Sequence, residues 1–104
     1  MKVYISPRAQ ELLDDPMTGP FMKPAVDEAI YYGLDAVKKE PGNLFYERCE
    51  STLWWENFCP LIVYHNKAGD YAMVLEKPVY AHFPHIPESY FEKLLPLCKE
   101  INIA

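Results

Sequence analysis

The sequence predicts an α+β fold in which an antiparallel sheet of three to four strands carries helices on one face, in the order β-α-α-β-β-β-α. A hairpin is indicated by the apolar run 61–64, a polar turn, and the alternating residues 71–76. Helices are indicated by the apolar spacing within 24–39 and 91–101. A chain of 104 residues fits a single domain that spans 1–104.

The N-terminal part predicts a strand and then a short helix. Residues 2–5 are β-branched and aromatic, which suits a strand. Ser6 and Pro7 are a typical N-cap and first helical residue, so a helix over about 7–14 follows. Residues 15–24 hold three prolines and a glycine, and therefore predict a loop.

The clearest helix is predicted over 24–39. Apolar residues recur on one side of it at helical spacing: Val26, Ala29, Ile30, Leu34 and Val37. Gly33 is unusual there, because a glycine within a helix costs about 1 kcal/mol relative to alanine. Close packing against another backbone would explain the glycine; a ligand would also explain it, but packing is the commoner cause.

The C-terminal half predicts further strands and a last helix. Residues 43–48 are compatible with a strand, and residues 79–83 predict an edge strand after the interruption at Pro78. The spacing of apolar residues predicts a terminal helix over 91–101. Pro96 lies within it, and a kink or a break is expected there.

Both sides of the predicted hairpin are largely apolar. One arrangement groups Leu61 and Val63 with Tyr71, Met73 and Leu75, and the other groups Ile62 and Tyr64 with Ala72 and Val74. Because helices are expected on one face only, the opposite face would need a partner to cover it. This argument predicts a homodimer.

Composition and charge exclude several classes of function. Half of the residues are hydrophobic and 24% are charged, which is typical of a globular domain. The net charge of −5 disfavours nucleic acid as a partner. No apolar run approaches the roughly 18–20 residues that cross a bilayer, so no membrane association is expected. An acidic chain could instead inhibit a nucleic-acid-binding protein, of the kind encoded by mobile elements.

The cysteines and the start of the chain indicate a cytoplasmic location. The three cysteines are an odd number, they lack C-x-x-C spacing, and no signal peptide is recognised at the N-terminus. Cys98 lies in an apolar pattern and is expected to be a small core residue.

Motifs for catalysis or cofactor binding are not found in the sequence. It has no G-x-S-x-G, Walker or G-x-G-x-x-G pattern, which disfavours an enzyme and predicts no cofactor. His82 and His85 form an H-x-x-H string that Cys49, Cys59 and His65 could join as zinc ligands. Since the spacing is sparse, no metal site is predicted.

The most unusual segment is Trp54-Trp55-Glu56-Asn57-Phe58. Adjacent tryptophans on an extended segment point to opposite sides, so one can enter the core while the other contacts a ligand. Both indoles could also be core residues, since a small domain needs large side chains. Tyr31 and Tyr32 of the second helix would extend an aromatic patch built on Trp54, Trp55 and Phe58.

Two patches of the chain resemble the RelE/ParE toxin superfamily. The opening Lys-Val-Tyr-Ile-Ser-Pro-Arg-Ala resembles that family's first strand and helix start, and residues 61–75 resemble its central hairpin. Together they cover about a third of the chain. The resemblance implies a ribosome-dependent ribonuclease or a gyrase inhibitor paired with an antitoxin. It would make Arg48, Lys77, Tyr80 and His82 the residues to test for catalysis.

The sequence thus favours a cytoplasmic, non-enzymatic and dimeric binding domain. Its aromatic patch would hold a protein partner or a small apolar ligand. The RelE/ParE-like toxin, active or inactive, is the alternative. The ribonuclease branch resembles a basic protein, whereas this chain has no arginine after Arg48.

Overall fold

A computed structural model of the protein describes residues 1–40, 42, 44–46, 60–80 and 86–101. The strands form one sheet in the order β2-β3-β4-β1-β5: β1 Lys2–Ile5, β2 Phe45–Tyr46, β3 Leu61–His65, β4 Tyr71–Glu76 and β5 Lys99–Ile101. The helices are α1 Pro7–Asp14, α2 Gly19–Lys39, the single turn α3 Lys77–Tyr80 and α4 Glu88–Leu94. The α+β class is confirmed, with five strands rather than three to four.

The sheet is mixed because β1 pairs with β4 in parallel, whereas the other three pairings are antiparallel. The prediction of a wholly antiparallel sheet is wrong at this one pair. Strands joined by short turns are antiparallel, but α1, α2, β2 and β3 lie between β1 and β4 in the chain. A connection of that length allows the parallel arrangement.

The strand over 2–5, the helix over about 7–14 and the hairpin are confirmed. The hydroxyl of Ser6 accepts a hydrogen bond from the backbone N–H of Ala9, as an N-cap should. The same hydroxyl donates to the carboxylate of Glu76 at 2.8 Å. Since Glu76 ends β4, this pair fixes the start of α1 against the end of the central hairpin.

The second helix begins earlier than the sequence predicts. It starts at Gly19 rather than at Pro24, so the loop predicted over 15–24 is largely helical. Proline is tolerated in a first helical turn, and Pro20 occupies that position. Pro24 has no backbone N–H, so one hydrogen bond is missing inside the helix. The burial of Met22 and Ala25 on either side of it favours continuation of the helix through this position.

The C-terminal part differs in two places. Residues 79 and 80, which were predicted to begin an edge strand, belong to the turn α3, and the rest of that predicted strand lies outside the described residues. The break expected at Pro96 is confirmed, because α4 ends at Leu94 and a 3-10 turn follows. The helix predicted to reach Ile101 is wrong, since Ile101 pairs with Val3 in the strand β5.

Both faces of the sheet are covered by the chain itself, which corrects the prediction of helices on one face. Helices α1 and α2 cover a core that includes Val3, Ile5, Val63 and Val74. The opposite core is covered by α3 and α4 and includes Ile62, Tyr64, Met73, Leu75, Tyr80 and Phe91. Cys98 packs, half-buried, against this second core.

The register between β3 and β4 explains why the hairpin residues were assigned to the two faces of the sheet in the wrong combination. Val63 pairs with Val74 and Tyr64 with Met73, so each face takes residues from both predicted sets. The predicted homodimer required an uncovered sheet face. The described residues leave no such face, so the homodimer stays a prediction without that support.

Candidate functional site

The outer side of α2 carries large apolar side chains that the fold leaves in solvent. The exposed fractions are 66% for Phe21, 75% for Tyr31 and 49% for Tyr32. Helical periodicity places these residues with Glu28 and Asp35 on the side opposite the buried residues of α2. We call Phe21, Glu28, Tyr31, Tyr32 and Asp35 the α2 outer face.

The two tyrosines form an aromatic pair at the centre of the α2 outer face. The ring centroids of Tyr31 and Tyr32 are 5.4 Å apart, and the ring planes meet at 64°. This edge-to-face arrangement is a favoured one for aromatic rings. The pair presents two ring surfaces to a ligand from neighbouring positions of a rigid helix.

Carboxylates lie on both sides of the tyrosine pair along the helix. Glu28 is one turn before the pair, and Asp35 is one turn after it. The middle of α2 therefore carries two carboxylate side chains beside aromatic rings.

This combination of groups suits a cationic side chain. The face of an aromatic ring attracts an ammonium or guanidinium group, and a neighbouring carboxylate strengthens the attraction. Arginine has the further advantage that its planar group stacks on a ring while it donates hydrogen bonds. The α2 outer face can thus bind arginine or lysine together with the apolar residues around them.

The structure describes only part of the aromatic patch that the sequence predicts. Tyr31 and Tyr32 are exposed, as a binding role requires. Trp54, Trp55 and Phe58 lie outside the described residues. Phe21 was missed, because the segment that contains it was predicted to be a loop. Its position eleven residues, or about three helical turns, before Tyr32 is the signal that could have revealed it.

Of the four residues that the RelE/ParE resemblance suggests for catalysis, the structure describes two. Arg48 and His82 lie outside the described ranges, whereas Lys77 and Tyr80 form the ends of α3. Tyr80 is 6% exposed, and its hydroxyl lies 3.2 Å from that of Tyr90. Burial raises the pKa of Tyr80 above its ordinary value, which opposes a role for this group as a base.

The described ranges contain no cluster of three or more His, Cys, Asp or Glu side chains that could hold a metal ion. His82, His85, Cys49 and Cys59 of the hypothetical zinc set lie outside those ranges. His65, the remaining member, is fully buried beneath α2. It is therefore placed as a core residue.

Gly33 makes room for His65, so close packing explains this glycine, but the packing is against side chains rather than against the predicted backbone. A Cβ atom at Gly33 would overlap Nε2 of His65 and lie 3.0 Å from Cδ1 of Tyr46. Among the described residues, no group forms a hydrogen bond of good geometry with either ring nitrogen of His65. Burial lowers the pKa of His65, and the carbonyl of Ala29 opposes this effect only in part.

We expect His65 to make the protein less stable in mild acid. Since its pKa is lowered in the folded state, stability is complete above the unfolded pKa of 6.5 and is lost as the pH falls below that value. The loss should be at most about 1.4 kcal/mol per pH unit. Urea unfolding at pH 7.5, 6.5 and 5.5 measures it, and His65→Leu should flatten the dependence.

The other two histidines are present in both proteins, so their contribution cancels in this comparison. The same pH dependence in wild type and His65→Leu would contradict the burial of a neutral ring.

No helix in the described ranges is both long and apolar enough to span a bilayer. The chain matches no protein-family model, no curated protein and no solved structure.

Proposed function

We propose that this protein is a non-enzymatic binding domain whose α2 outer face holds a protein segment rich in arginine or lysine. The observation that carries the proposal is the exposure of Phe21, Tyr31 and Tyr32 on one side of a helix that also bears Glu28 and Asp35. Exposed aromatic residues that cluster on a rigid element are typical of binding surfaces. The carboxylates select the charge of the partner.

A protein segment is favoured over a small apolar ligand because the α2 outer face is not concave. Small-molecule sites are clefts that enclose most of the ligand. Three cavities are lined by described residues elsewhere in the fold, and Phe21, Tyr31 and Tyr32 are not among the residues that line them. A protein segment can instead lie along the helix and contact all three aromatic side chains.

A partner with positive charge is favoured over a second copy of this chain. Two copies docked through the α2 outer face would bring Glu28 and Asp35 of one copy towards those of the other, and like charges repel. The whole chain carries a net charge of −5, which adds to the repulsion. A protein that itself binds nucleic acid presents arginine and lysine, so it is a suitable class of partner.

The test uses a short fluorescein-labelled peptide in which arginine and leucine alternate, with its glutamate-leucine counterpart as the reference. Fluorescence anisotropy should show binding of the arginine peptide only. Tyr31→Ala combined with Tyr32→Ala should weaken binding about tenfold or more. Asp35→Asn should weaken it a few fold and reduce its dependence on salt.

Two variants serve as matched controls. Glu100→Gln removes the same charge as Asp35→Asn from an exposed position on β5, and Leu97→Ala removes an exposed apolar side chain elsewhere. Both should bind the peptide like wild type. Unchanged binding by the tyrosine variant would contradict the proposal. So would self-association that the tyrosine variant abolishes, because it would assign the α2 outer face to a homodimer.

A further inference from the structure

A second candidate site lies where the end of α2 meets the turn between β3 and β4. A cavity of about 520 Å³ opens there, which is within the size range of small-molecule sites. Leu34, Val37 and Leu44 form its apolar walls. It lies at the opposite end of α2 from Phe21 and shares no residue with the α2 outer face.

The polar residues that line this cavity are donors of hydrogen bonds. Lys38 reaches it from the last turn of α2, and Lys67 reaches it from the hairpin turn. No acidic side chain of the described residues lines it. Two other cavities lined by described residues differ, since one contains three aspartates and the other contains both Lys39 and Glu40. The two lysines stand out in a chain of net charge −5.

Asn66 contributes an oriented amide to the same cavity. The residue is 5% exposed, and its Oδ1 atom accepts a hydrogen bond from the backbone N–H of Tyr71 at 3.0 Å. This bond assigns the oxygen to the protein and leaves the NH₂ group to donate to a ligand. The backbone N–H of Lys67 donates to the carboxylate of Glu88 at 3.0 Å, which further fixes the turn.

Lys38 and Lys67 each have a structural role, but these roles do not explain why both lysines line the same cavity. Lys38 in the last turn of α2 complements the negative end of the helix dipole, and Lys67 is a polar turn residue. Neither role requires that the two lysines line one cavity with apolar walls. We infer that this cavity binds a small carboxylate with a hydrocarbon body, whose charged end lies between Lys38 and Lys67.

The test uses octanoate as the probe and the NMR shifts of the backbone amides as the readout. Octanoate should shift the amides of Gly42, Leu44 and Lys67, whereas octanol, which lacks the charge, and acetate, which lacks the hydrocarbon, should bind more weakly. Lys38→Gln combined with Lys67→Gln should weaken octanoate binding about tenfold.

The matched control combines Lys23→Gln with Lys93→Gln, which removes the same charge from exposed positions elsewhere and should leave octanoate binding unchanged. The tyrosine variant of the α2 outer face should also bind octanoate like wild type, so the two proposals fail separately. Octanol binding as tight as octanoate binding, equal loss in both lysine pairs, or no shift with octanoate would each overturn the inference.

Discussion

Replacing Phe91 with alanine is expected to lower the free energy of unfolding by about 3–5 kcal/mol. Phe91 is fully buried and stacks on Tyr64, with ring centroids 3.8 Å apart and planes at 18°. Its ring also meets those of Phe45 and Tyr90 edge to face. Since α4 is only seven residues long, this one side chain supplies much of the contact that holds the helix on the sheet.

Urea unfolding measures the loss, which is a large fraction of the stability of a typical domain. Leu97→Ala is the control, because Leu97 is 68% exposed in the turn that follows α4 and should change stability by less than about 0.5 kcal/mol. A cost below about 1 kcal/mol for Phe91→Ala would contradict the conclusion that α4 covers the second face of the sheet.

Replacing Gly19 with alanine is expected to destabilise the protein by about 1–3 kcal/mol, even though alanine is the better helix former. A Cβ atom at Gly19 would overlap the carbonyl oxygen of Leu13 and lie 2.9 Å from its carbonyl carbon. Both atoms belong to the backbone of α1, which cannot move aside as a side chain can. The variant must therefore separate α1 from the start of α2.

Gly42 provides the matched control for this substitution. A Cβ atom there would meet no other atom within 4 Å, so Gly42→Ala should be neutral or slightly stabilising. Thermal unfolding of both variants gives the comparison. If Gly19→Ala raised the melting temperature as helix propensity alone predicts, the close approach of the two helices would be refuted.

The sequence was sufficient to predict those elements that depend on residues close together in the chain. The N-cap at Ser6, the hairpin and the break at Pro96 each depend on residues close together in the chain. The strand β5 could not be predicted in this way, because its apolar spacing also fits a helix. It is a strand because Val3 and Ile5 offer an open edge to residues far along the chain.

The candidate site was predictable only in part for a related reason. The exposure of Tyr31 and Tyr32 follows from the predicted helix, since both lie off its apolar stripe. Phe21 joins them only because α2 continues through Pro24, and tertiary packing decides that continuation. The cavity at Lys38 and Lys67 depends on how the hairpin turn lies against α2, which local sequence does not specify.

Acetylation of the tyrosine side chains, followed by mass spectrometry, tests most directly that the sheet is closed on both faces while the α2 outer face is open. We predict that Tyr31 and Tyr32 react rapidly in the folded protein, that Tyr64 and Tyr80 are protected, and that the arginine peptide slows the reaction of the first pair alone. Reaction of Tyr64 as fast as that of Tyr31, or no protection by the bound peptide, would contradict this account.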